Sequence, residues 1–218
     1  MRNFDPSLYF ITDSTGFTEE EFLYRVEQAL IGGATMLQLR EKEKTTREYM
    51  ELAIKVHALT QKFNVPLLID DRVDVALAVD AEGVHVGASD LPVAAARRLM
   101  GDHKIVGATA KTVPWAQDVY EQGADYLGVG AIYPTTTKVK TVLTSTDTLR
   151  DICEAVPIPV NAIGGLNKDN LDILDGIPIA GICVVSAIMK ALDPALAAKE
   201  LRAQVEKQKS SQKIHKKY

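Results

Sequence analysis

The chain has 218 residues, of which 46% are hydrophobic and 25% are charged, and its formal net charge at pH 7 is −4. These values are typical of one globular domain, since a chain of about 200 to 250 residues can form a single α/β barrel. The slightly acidic balance excludes the concentrated basic surface of a nucleic-acid-binding protein.

The two cysteines, Cys153 and Cys183, lie too far apart in sequence for a metal-binding pair and are too few for a disulfide framework. Cys183 stands in an apolar run, which predicts a buried and unreactive side chain. Residues 1–9 carry no apolar signal region, and no apolar run approaches the length of a membrane span. We therefore expect a soluble cytoplasmic protein with no membrane partner.

Short segments rich in Val, Ile and Leu recur along the chain, and Gly, Pro, Asp or Asn flanks each of them. Such segments are typical of buried strands. They predict eight strands, at residues 8–12, 36–40, 66–70, 83–86, 105–108, 126–129, 159–163 and 181–185.

Segments with apolar residues at helical spacing separate the predicted strands. Residues 19–31 place Phe22 and Val26 on one face, and residues 47–63 repeat the pattern. Thr18 precedes a run of glutamates, which predicts an N-cap followed by an acidic first turn.

Alternating strands and helices predict an α/β protein with a parallel sheet and the helices outside it. Eight such units favour a closed (β/α)8 TIM barrel with a parallel eight-stranded core, formed as a single domain by residues 1–206. An open doubly wound sheet is the alternative, but a glycine-rich nucleotide loop does not follow the first predicted strand. Residues 207–218 are polar and rich in lysine, and we expect a disordered tail there.

In a barrel of this kind, the active site lies at the C-terminal ends of the strands. The second predicted strand ends in Gln38, Leu39, Arg40, Glu41 and Lys42. Side chains alternate along a strand, so Gln38, Arg40 and Lys42 face the same way. Arginine and lysine in this arrangement suit a phosphate, although salt bridges at a solvated strand end are an alternative.

Carboxylates end the next two predicted strands. Asp70 and Asp71 close the third strand, and Asp90 follows the fourth. Carboxylates at neighbouring strand ends can share one Mg²⁺, with waters and substrate phosphates as the remaining ligands. Alternatively each aspartate is a turn or cap residue, and Asp90 stands where it could cap the helix that begins near Leu91. His85, within the fourth strand, is more typical of a packed, hydrogen-bonded histidine than of a catalytic one.

Hydroxyl groups and one lysine follow the fifth and sixth predicted strands. Thr109 ends the fifth strand, and Thr135, Thr136, Thr137 and Lys138 follow the sixth. These residues suit a loop that closes over a charged substrate and excludes water. Composition alone is equally compatible with a plain polar loop.

Glycine and serine mark the ends of the last two predicted strands. Gly165 follows the seventh strand, and Val185 and Ser186 follow the eighth. In barrels these two loops often form a phosphate site, because glycine lets backbone amides approach the anion at the start of a helix. The sequence therefore predicts a ligand with a phosphate at this corner.

Two anion centres are thus expected, and the one that combines a metal with several cations suits a diphosphate. No pairing of Ser with His, of Cys with His or of two glutamates stands out in the sequence as a nucleophilic arrangement. Chemistry by positioning and charge stabilisation, with diphosphate as the leaving group, is therefore favoured.

Several of these segments, in this order and at this spacing, resemble the thiamine-phosphate synthase family. The resemblance extends from residue 9 to about residue 198. It rests on segments that are weak alone and specific together: residues 9–13, Gln-Leu-Arg-Glu-Lys at 38–42, Asp-Arg-Val-Asp at 71–74, Gly-Val-His-Val-Gly at 83–87 with Asp90, Tyr-Pro-Thr-Thr-Thr-Lys at 133–138, Gly-Gly at 164–165 and Val-Ser-Ala-Ile at 185–188.

The resemblance implies an enzyme, a transferase that couples 4-amino-2-methyl-5-(diphosphooxymethyl)pyrimidine to 4-methyl-5-(2-phosphoethyl)thiazole. The products would be thiamine phosphate and diphosphate. Departure of diphosphate would leave a pyrimidine-stabilised carbocation, which the thiazole nitrogen captures, so that no protein nucleophile is needed. The resemblance also implies one Mg²⁺ per subunit.

Matching positions imply a role for each site residue. Asp71 and Asp90 would hold the Mg²⁺, and Thr109 would face the diphosphate where the family usually has a serine. The implied catalytic residues are Arg40, Lys42, Thr109 and Lys138, the last of which would neutralise the leaving diphosphate. The implied binding residues are Gln38 to Lys42, Asp70, Thr109 and Lys138 for the pyrimidine diphosphate, and Thr135 to Thr137, Gly165, Val185 and Ser186 for the thiazole phosphate.

Asp70 departs from the family pattern, since it stands at the place of an asparagine that contacts the pyrimidine substrate. A second charge beside Asp71 either strengthens metal binding or repels the diphosphate, with an energy on the order of 1–4 kcal/mol for neighbouring carboxylates. Ala88, Lys111 and Ala131 also differ from common family residues. These departures concern efficiency and the identity of the pyrimidine.

Two other functions stay open. A thiazole tautomerase is a related barrel, but it should lack the paired aspartates and the diphosphate-binding cations. A non-catalytic protein that binds a thiamine precursor is the second alternative, and Asp70 and Ala88 favour it. Helices on the outside of a barrel often pair between subunits, so a homo-oligomer stays open as well.

Overall fold

Short strands alternate with helices in the computed structural model of the chain, which describes residues 4–134 and 142–215. Each strand has four to six residues, as expected for the strands of a small barrel. The strands are β1 (Leu8–Ile11), β2 (Met36–Leu39), β3 (Leu67–Asp70), β4 (Gly83–Val86), β5 (Ile105–Ala110), β6 (Tyr126–Gly130), β7 (Val160–Ile163) and β8 (Gly181–Val184).

Helices follow the strands, except that a 3₁₀ turn at Leu171–Leu174 stands after β7. The helices are α1 (Glu19–Ile31), α2 (Thr46–Lys62), α3 (Val73–Ala78), α4 (Val93–Met100), α5 (Val113–Glu121), α6 (Thr146–Ala155), α7 (Ser186–Met189) and α8 (Pro194–His215). Among the described residues, no helix is both long enough and apolar enough to cross a membrane.

The strands pair in chain order and then close on themselves, because β8 pairs with β1 as well as with β7. Every one of these pairings is parallel. The predicted (β/α)8 barrel is therefore confirmed, and the open doubly wound sheet is excluded. The predicted strand bounds agree with the observed bounds to within two residues.

Polar side chains define where the first two helices begin. Thr18 Oγ1 accepts a hydrogen bond of 3.2 Å from the Glu21 N–H, which confirms the predicted N-cap of α1. At α2, Thr45 and Glu48 form a capping box, in which each side chain accepts from the backbone N–H of the other. Such caps stabilise a helix by about 1 kcal/mol each, because they satisfy N–H groups that the helix itself leaves unpaired.

Alternation of side chains along the strands divides the buried residues into two clusters. Outward-facing residues such as Leu37 and Leu127 pack against the helices, and we call this cluster the outer core. Inward-facing residues fill the barrel itself and form the inner core: Tyr9, Ile11, Met36, Leu68, Ile105, Tyr126 and Cys183. The predicted burial of Cys183 is confirmed.

Aromatic rings occupy the middle of the inner core. The rings of Phe4 and Tyr9 approach that of Tyr126 edge to face, with centroid distances of 5.8 and 5.6 Å. Gly107 of β5 makes room for this ring, because a Cβ at that position would lie 2.1 Å from Tyr126 Cζ. Glycine in a strand here reflects close packing rather than a bend.

The C-terminal segment differs from the prediction, since residues 207–215 continue α8 as helix instead of forming a disordered tail. The Gln208 amide donates a hydrogen bond of 2.7 Å to the Leu171 carbonyl. Lys209 Nζ donates one of 2.8 Å to Ser7 Oγ. Composition did not show these contacts, because long polar side chains can lie along a neighbouring surface while their charged ends stay wet.

Candidate active site

Charged side chains meet at the C-terminal ends of β2, β3 and β4, and we call them the charge cluster: Arg40, Lys42, Asp70, Asp71 and Asp90. Lys42 Nζ lies 2.7 Å from Asp70 Oδ2 and also contacts Asp71 Oδ2. Arg40 Nε lies 3.8 Å from the same Asp70 oxygen. Asp90 is close enough to Asp71 for that neighbour to raise its pKa. The structure thus brings together five residues that the sequence singled out separately.

The end of β3 explains how two successive aspartates reach one lysine. Asp70 is the last residue of β3 and pairs in register with His85 of β4. Asp71 then adopts a left-handed conformation with φ of 61°, and its N–H donates to the His85 carbonyl at 2.9 Å. Aspartate tolerates this conformation better than most residues, so the chain turns here without glycine.

Asp90 lies in a tight turn that follows β4. Its Oδ2 accepts a hydrogen bond of 2.8 Å from the Gly87 N–H, and a Cβ on Gly87 would lie only 2.9 Å from that oxygen. The alternative role of Asp90 as a helix cap is wrong, since α4 begins at Val93 with Pro92 as its N-cap. Proline at the entry of a helix has its φ preset, and the aspartate is left to face Asp71.

Burial and neighbouring charges together shift the pKa values within the charge cluster. Burial raises the pKa of Asp70 above its usual range, and Lys42 and Arg40 offset part of that effect. Burial also raises the pKa of Asp90, and the neighbouring Asp71 adds to the increase. Burial alone would lower the pKa of Lys42, but Asp70 and Asp71 outweigh it and raise the value. A further cation near these carboxylates would favour their charged forms.

The segment after β2 presents alternate residues to the site. Arg40 and Lys42 belong to the charge cluster, whereas Leu39 is fully buried in the outer core. The Glu41 carboxylate accepts a hydrogen bond of 2.8 Å from Ser14 Oγ, and its side chain is 6% exposed. The substrate contacts of Leu39 and Glu41 stay predictions.

A continuous series of hydrogen bonds crosses the barrel interior, and we call its members the polar relay: Gln38, Tyr9, Tyr126, His85 and Thr109. Gln38 Nε2 donates to the Tyr9 hydroxyl at 2.7 Å, and the hydroxyls of Tyr9 and Tyr126 are 2.8 Å apart. His85 Nδ1 lies 2.9 Å from the Tyr126 hydroxyl. His85 Nε2 lies 3.0 Å from Thr109 Oγ1, at the C-terminal end of β5.

Sequence reasoning missed Tyr9 and Tyr126 as residues connected to the site. The signal was present in the alternation, because Leu8 and Leu127 face the outer core and their neighbours must then face inward. Burial raises the pKa of both phenols, so both hydroxyls keep their protons. His85 is hydrogen-bonded through both ring nitrogens, in agreement with the interpretation of a packed histidine.

The predicted phosphate corner lies at the adjacent ends of β7 and β8, which pair in parallel. Gly165 has a φ of +65°, and a Cβ there would lie 2.6 Å from Tyr133 Cβ, so glycine is required. Ser186 is exposed and is the first residue of α7, whose N-cap is Val185. The structure thus places Gly165, Val185 and Ser186 at neighbouring strand ends.

Four predicted site residues lie outside the described residues: Thr135, Thr136, Thr137 and Lys138. The chain on either side of them is attached to the barrel. The Tyr133 N–H donates to the Gly164 carbonyl at 3.0 Å, and the Thr144 N–H donates to the Ala131 carbonyl at 2.8 Å. The roles of the four residues stay predictions.

In residues 4–134 and 142–215, no group of three or more His, Cys, Asp or Glu side chains is placed to hold a metal ion. The candidate ligands are therefore the pair Asp71 and Asp90. A pair of carboxylates is too few for a structural zinc site, which usually has four protein ligands. Magnesium typically takes only one or two carboxylates and completes its shell with water and phosphate oxygens, so the pair fits this metal.

A closed parallel barrel with cations, carboxylates and a glycine corner at the C-terminal strand ends defines a class, the barrel enzymes that act on phosphorylated small molecules. Within that class, the model of the thiamine monophosphate synthase family matches residues 8–188. A thiamine-phosphate synthase from Methanobrevibacter smithii is 46% identical over 92% of this chain and 96% of its own length. Another, from Enterococcus faecalis, is 52% identical over 84% of this chain and 87% of its own length. The chain belongs to the thiamine monophosphate synthase family, and it is an enzyme of the transferase kind.

Solved structures agree with this membership. The thiamine phosphate pyrophosphorylase of Pyrococcus furiosus matches with a TM-score of 0.84 and 41% identity, over 93% of this chain and 96% of that protein. A 3-hexulose-6-phosphate synthase, at 19% identity and a TM-score of 0.70, shares the fold alone. The family resemblance inferred from the sequence motifs is therefore confirmed.

Proposed function

We propose that this enzyme couples 4-amino-2-methyl-5-(diphosphooxymethyl)pyrimidine with 4-methyl-5-(2-phosphoethyl)thiazole, and that it releases thiamine phosphate and diphosphate. The observation that carries the proposal is the charge cluster, in which Arg40 and Lys42 meet three aspartates. Cations beside carboxylates suit a ligand that has several negative charges and arrives with a metal ion. Membership of the family supports the same pair of substrates.

The metal we propose is Mg²⁺, one per subunit, with Asp71 and Asp90 as its protein ligands. Burial raises the pKa of Asp90 and the neighbouring Asp71 raises it further, so a divalent cation beside both carboxylates would favour their charged forms. The bound ion would supply positive charge to the oxygens of the leaving diphosphate.

Arg40 and Lys42 would bind the diphosphate of the pyrimidine substrate. The Arg40 guanidinium offers a planar fork, and the Lys42 ammonium, on a side chain that is 41% exposed, can turn from the aspartates to a phosphate oxygen. When the carbon–oxygen bond breaks, its electron pair stays with diphosphate. These cations stabilise the added negative charge, and Lys138 would do the same.

The thiazole phosphate would bind at the neighbouring corner formed by the ends of β7 and β8. Gly165 packs in a left-handed conformation against Tyr133 at this corner, and the amides of Val185 and Ser186 stand at the start of α7. Thr135 to Thr137 would add hydroxyl donors. Two separate anion sites hold the two substrates in fixed relative positions, which lowers the entropic barrier to their reaction.

The thiazole nitrogen would form the new carbon–nitrogen bond directly with the pyrimidine carbocation. This step requires an electron pair from the thiazole and a site that excludes water, but no covalent bond to the protein. Cys183, within the inner core, is a poor nucleophile because burial raises the pKa of its thiol well above the usual range. The chemistry proposed therefore depends on positioning and on charge.

A coupling assay tests the proposed function. Purified protein is mixed with both substrates and Mg²⁺, the product is oxidised, and thiochrome fluorescence is measured. We expect a signal that disappears when the metal is chelated and returns when Mg²⁺ is added in excess. A mixture that lacks the pyrimidine diphosphate is the control.

Two results would contradict the proposal. The first is a folded protein that gives no thiochrome at any Mg²⁺ concentration although it binds a precursor tightly, which would favour a binding protein. The second is metal-independent isomerisation of a thiazole carboxylate phosphate without coupling, which would favour a thiazole tautomerase.

A further inference from the structure

The polar relay has a direction, which follows from its donors and acceptors. Gln38 donates through its amide nitrogen, so the Tyr9 oxygen accepts. Tyr9 and Tyr126 are 1% and 0% exposed, and a buried hydroxyl that does not donate loses a hydrogen bond that water would have provided. Tyr9 therefore donates to Tyr126, and Tyr126 donates to His85 Nδ1.

The tautomer of His85 follows from the same assignment of donors and acceptors. A neutral imidazole that accepts at Nδ1 carries its proton on Nε2. Because Nε2 lies 3.0 Å from Thr109 Oγ1, His85 donates to Thr109. The Thr109 oxygen is then an acceptor toward His85, and its own proton is directed to the partly exposed C-terminal end of β5.

We propose that Gln38, Tyr9, Tyr126 and His85 are positioning residues that make the Thr109 hydroxyl a hydrogen-bond donor to the substrate diphosphate. The identity of this ligand rests on the proposed function, whereas the direction of the relay does not. A relay of the opposite direction would have Thr109 donate to His85 and offer only lone pairs to an anion. Donors that are already oriented stabilise developing negative charge most effectively.

This direction also decides between two roles for the adjacent histidine and threonine. A histidine that activates a hydroxyl nucleophile must accept the hydroxyl proton. His85 Nε2 carries a proton in the relay, so it cannot act as the base for Thr109. The pair therefore serves to orient a donor, in agreement with a reaction that needs no protein nucleophile.

The surroundings of the relay favour a single orientation. Its first three members are at most 2% exposed, so water does not compete for their hydrogen bonds. Gly107 of β5 leaves room for the Tyr126 ring, since a Cβ there would lie 2.1 Å from Tyr126 Cζ. The hydroxyl of Thr109 is thereby linked, through hydrogen bonds, to buried side chains in the barrel interior.

Nuclear magnetic resonance of ¹⁵N-labelled histidine tests the relay in the ligand-free protein. At a pH where imidazole is neutral, we expect His85 as the tautomer with its proton on Nε2, identified by the signal that is lost in His85→Asn. Tyr126→Phe removes the donor to Nδ1 but keeps the ring, so the other tautomer should become populated. Tyr49→Phe is the matched control, because this buried hydroxyl donates to the Leu39 carbonyl and lies outside the relay.

Binding of inorganic diphosphate in the presence of Mg²⁺, measured by calorimetry, tests the consequence for Thr109. We expect Tyr126→Phe and Thr109→Ala each to weaken binding by about ten- to a hundredfold, the usual effect of one hydrogen bond to a charged group. In the Thr109→Ala background, Tyr126→Phe should have no further effect. Thr109→Ser keeps the hydroxyl and should bind as the wild type does.

Either of two results would overturn the inference. The first is a wild-type His85 with its proton on Nδ1. The second is a loss of diphosphate binding on Tyr126→Phe that is as large in the Thr109→Ala background as in the wild type. If Tyr126→Phe does not fold, Tyr9→Phe interrupts the same relay one step earlier and should weaken diphosphate binding in the same hydroxyl-dependent way. Failure of the coupling assay, with the expected tautomer and the expected diphosphate binding, would contradict the proposed substrates and support the relay.

Discussion

Asp70 adds a third carboxylate to a site in which two aspartates already stand side by side. Its Oδ2 lies 2.7 Å from Lys42 Nζ, and its side chain is 10% exposed, although water still reaches the lysine, whose side chain is 41% exposed. While Lys42 is held there, its charge is less available to a diphosphate. The presence of an aspartate here thus favours the ligand-free arrangement of the lysine.

Replacement of Asp70 tests this competition. We expect Asp70→Asn to couple the substrates as fast as the wild type or faster, because Lys42 is then held by one carboxylate fewer. The measurement is kcat/KM for the pyrimidine diphosphate, with the exposed Asp74→Asn as a control for the loss of one negative charge. A collapse of turnover would show that the Asp70 carboxylate has a role of its own in the reaction.

The same variant also tests how the stability of the protein depends on pH. Burial raises the pKa of Asp70, so ionisation is less favourable in the folded than in the unfolded state. The wild type should lose stability as the pH rises through the ordinary aspartate range toward the raised pKa, and Asp70→Asn lacks this loss. The difference in melting temperature, variant minus wild type, should therefore be near zero in acid and positive at neutral pH. A difference that does not change with pH would contradict this account.

Lys138 is predicted to act on the leaving diphosphate. We expect Lys138→Ala to reduce kcat by about a hundredfold, the usual effect of removing one stabilising group from a developing anion. The melting temperature should stay that of the wild type, since the predicted role is in the reaction. Lys168→Ala, at an exposed lysine that pairs with Glu200, is the matched control and should leave kcat unchanged. A large drop in melting temperature for Lys138→Ala would point to a structural role instead.

At the scale of strands and helices, local sequence predicted most of the architecture. Eight apolar segments with turn residues between them were sufficient for the barrel, because eight parallel strands with external helices bury their apolar faces by closing on themselves. Thr18 as an N-cap was also predictable, since a capping side chain acts within three residues.

Features that depend on contacts between distant strands were not predictable in this way. The polar relay joins residues of five different strands, and the strand pattern alone does not show which polar groups will meet. For the same reason, the contact of Lys42 with both Asp70 and Asp71 was expected only as a shared location. The role of Asp90 was left open between cap and ligand until the start of α4 was known.

Gly107 links the packing of β5 to the position of Tyr126. We expect Gly107→Ala to destabilise the protein by about 1–3 kcal/mol, because the added methyl group overlaps a fully buried ring. Gly128→Ala is the matched control in β6, since its methyl group would make an ordinary contact of 3.4 Å with His85. Denaturant unfolding of both variants measures the difference, and equal stabilities would contradict this explanation of Gly107.

At the scale of the whole molecule, the C-terminal helix joins the end of the chain to its beginning. Arg202 pairs with Asp5 at 3.2 Å, and Lys209 reaches Ser7 beside β1. The Lys209 contact lies past residue 206, at which the sequence predicts the end of the barrel domain. The lysine-rich composition gave no sign of this contact, because composition describes solubility and not which side chains find partners.

Two truncated proteins test this boundary. A protein that ends at residue 210 keeps the hydrogen bonds of Gln208 and Lys209, whereas one that ends at residue 206 loses them. We expect the shorter protein to melt at a lower temperature and the longer one to be the more stable of the two. Equal melting temperatures for the two truncated proteins would indicate that the folded unit ends at residue 206.

The separation of the outer core from the inner core has a consequence for how such an enzyme changes over generations. Residues of the outer core, such as Leu37, hold the helices on the barrel, while Gln38 and Asp70 face the barrel interior, because the strand residues next to them face outward. A change of a polar residue at a strand end, such as Asp70→Asn, leaves the outer core as it is, so the helices stay packed on the barrel. The two sides of one strand can thereby change separately, and the difference between an aspartate and an asparagine at position 70 falls on the site and not on the packing of the helices.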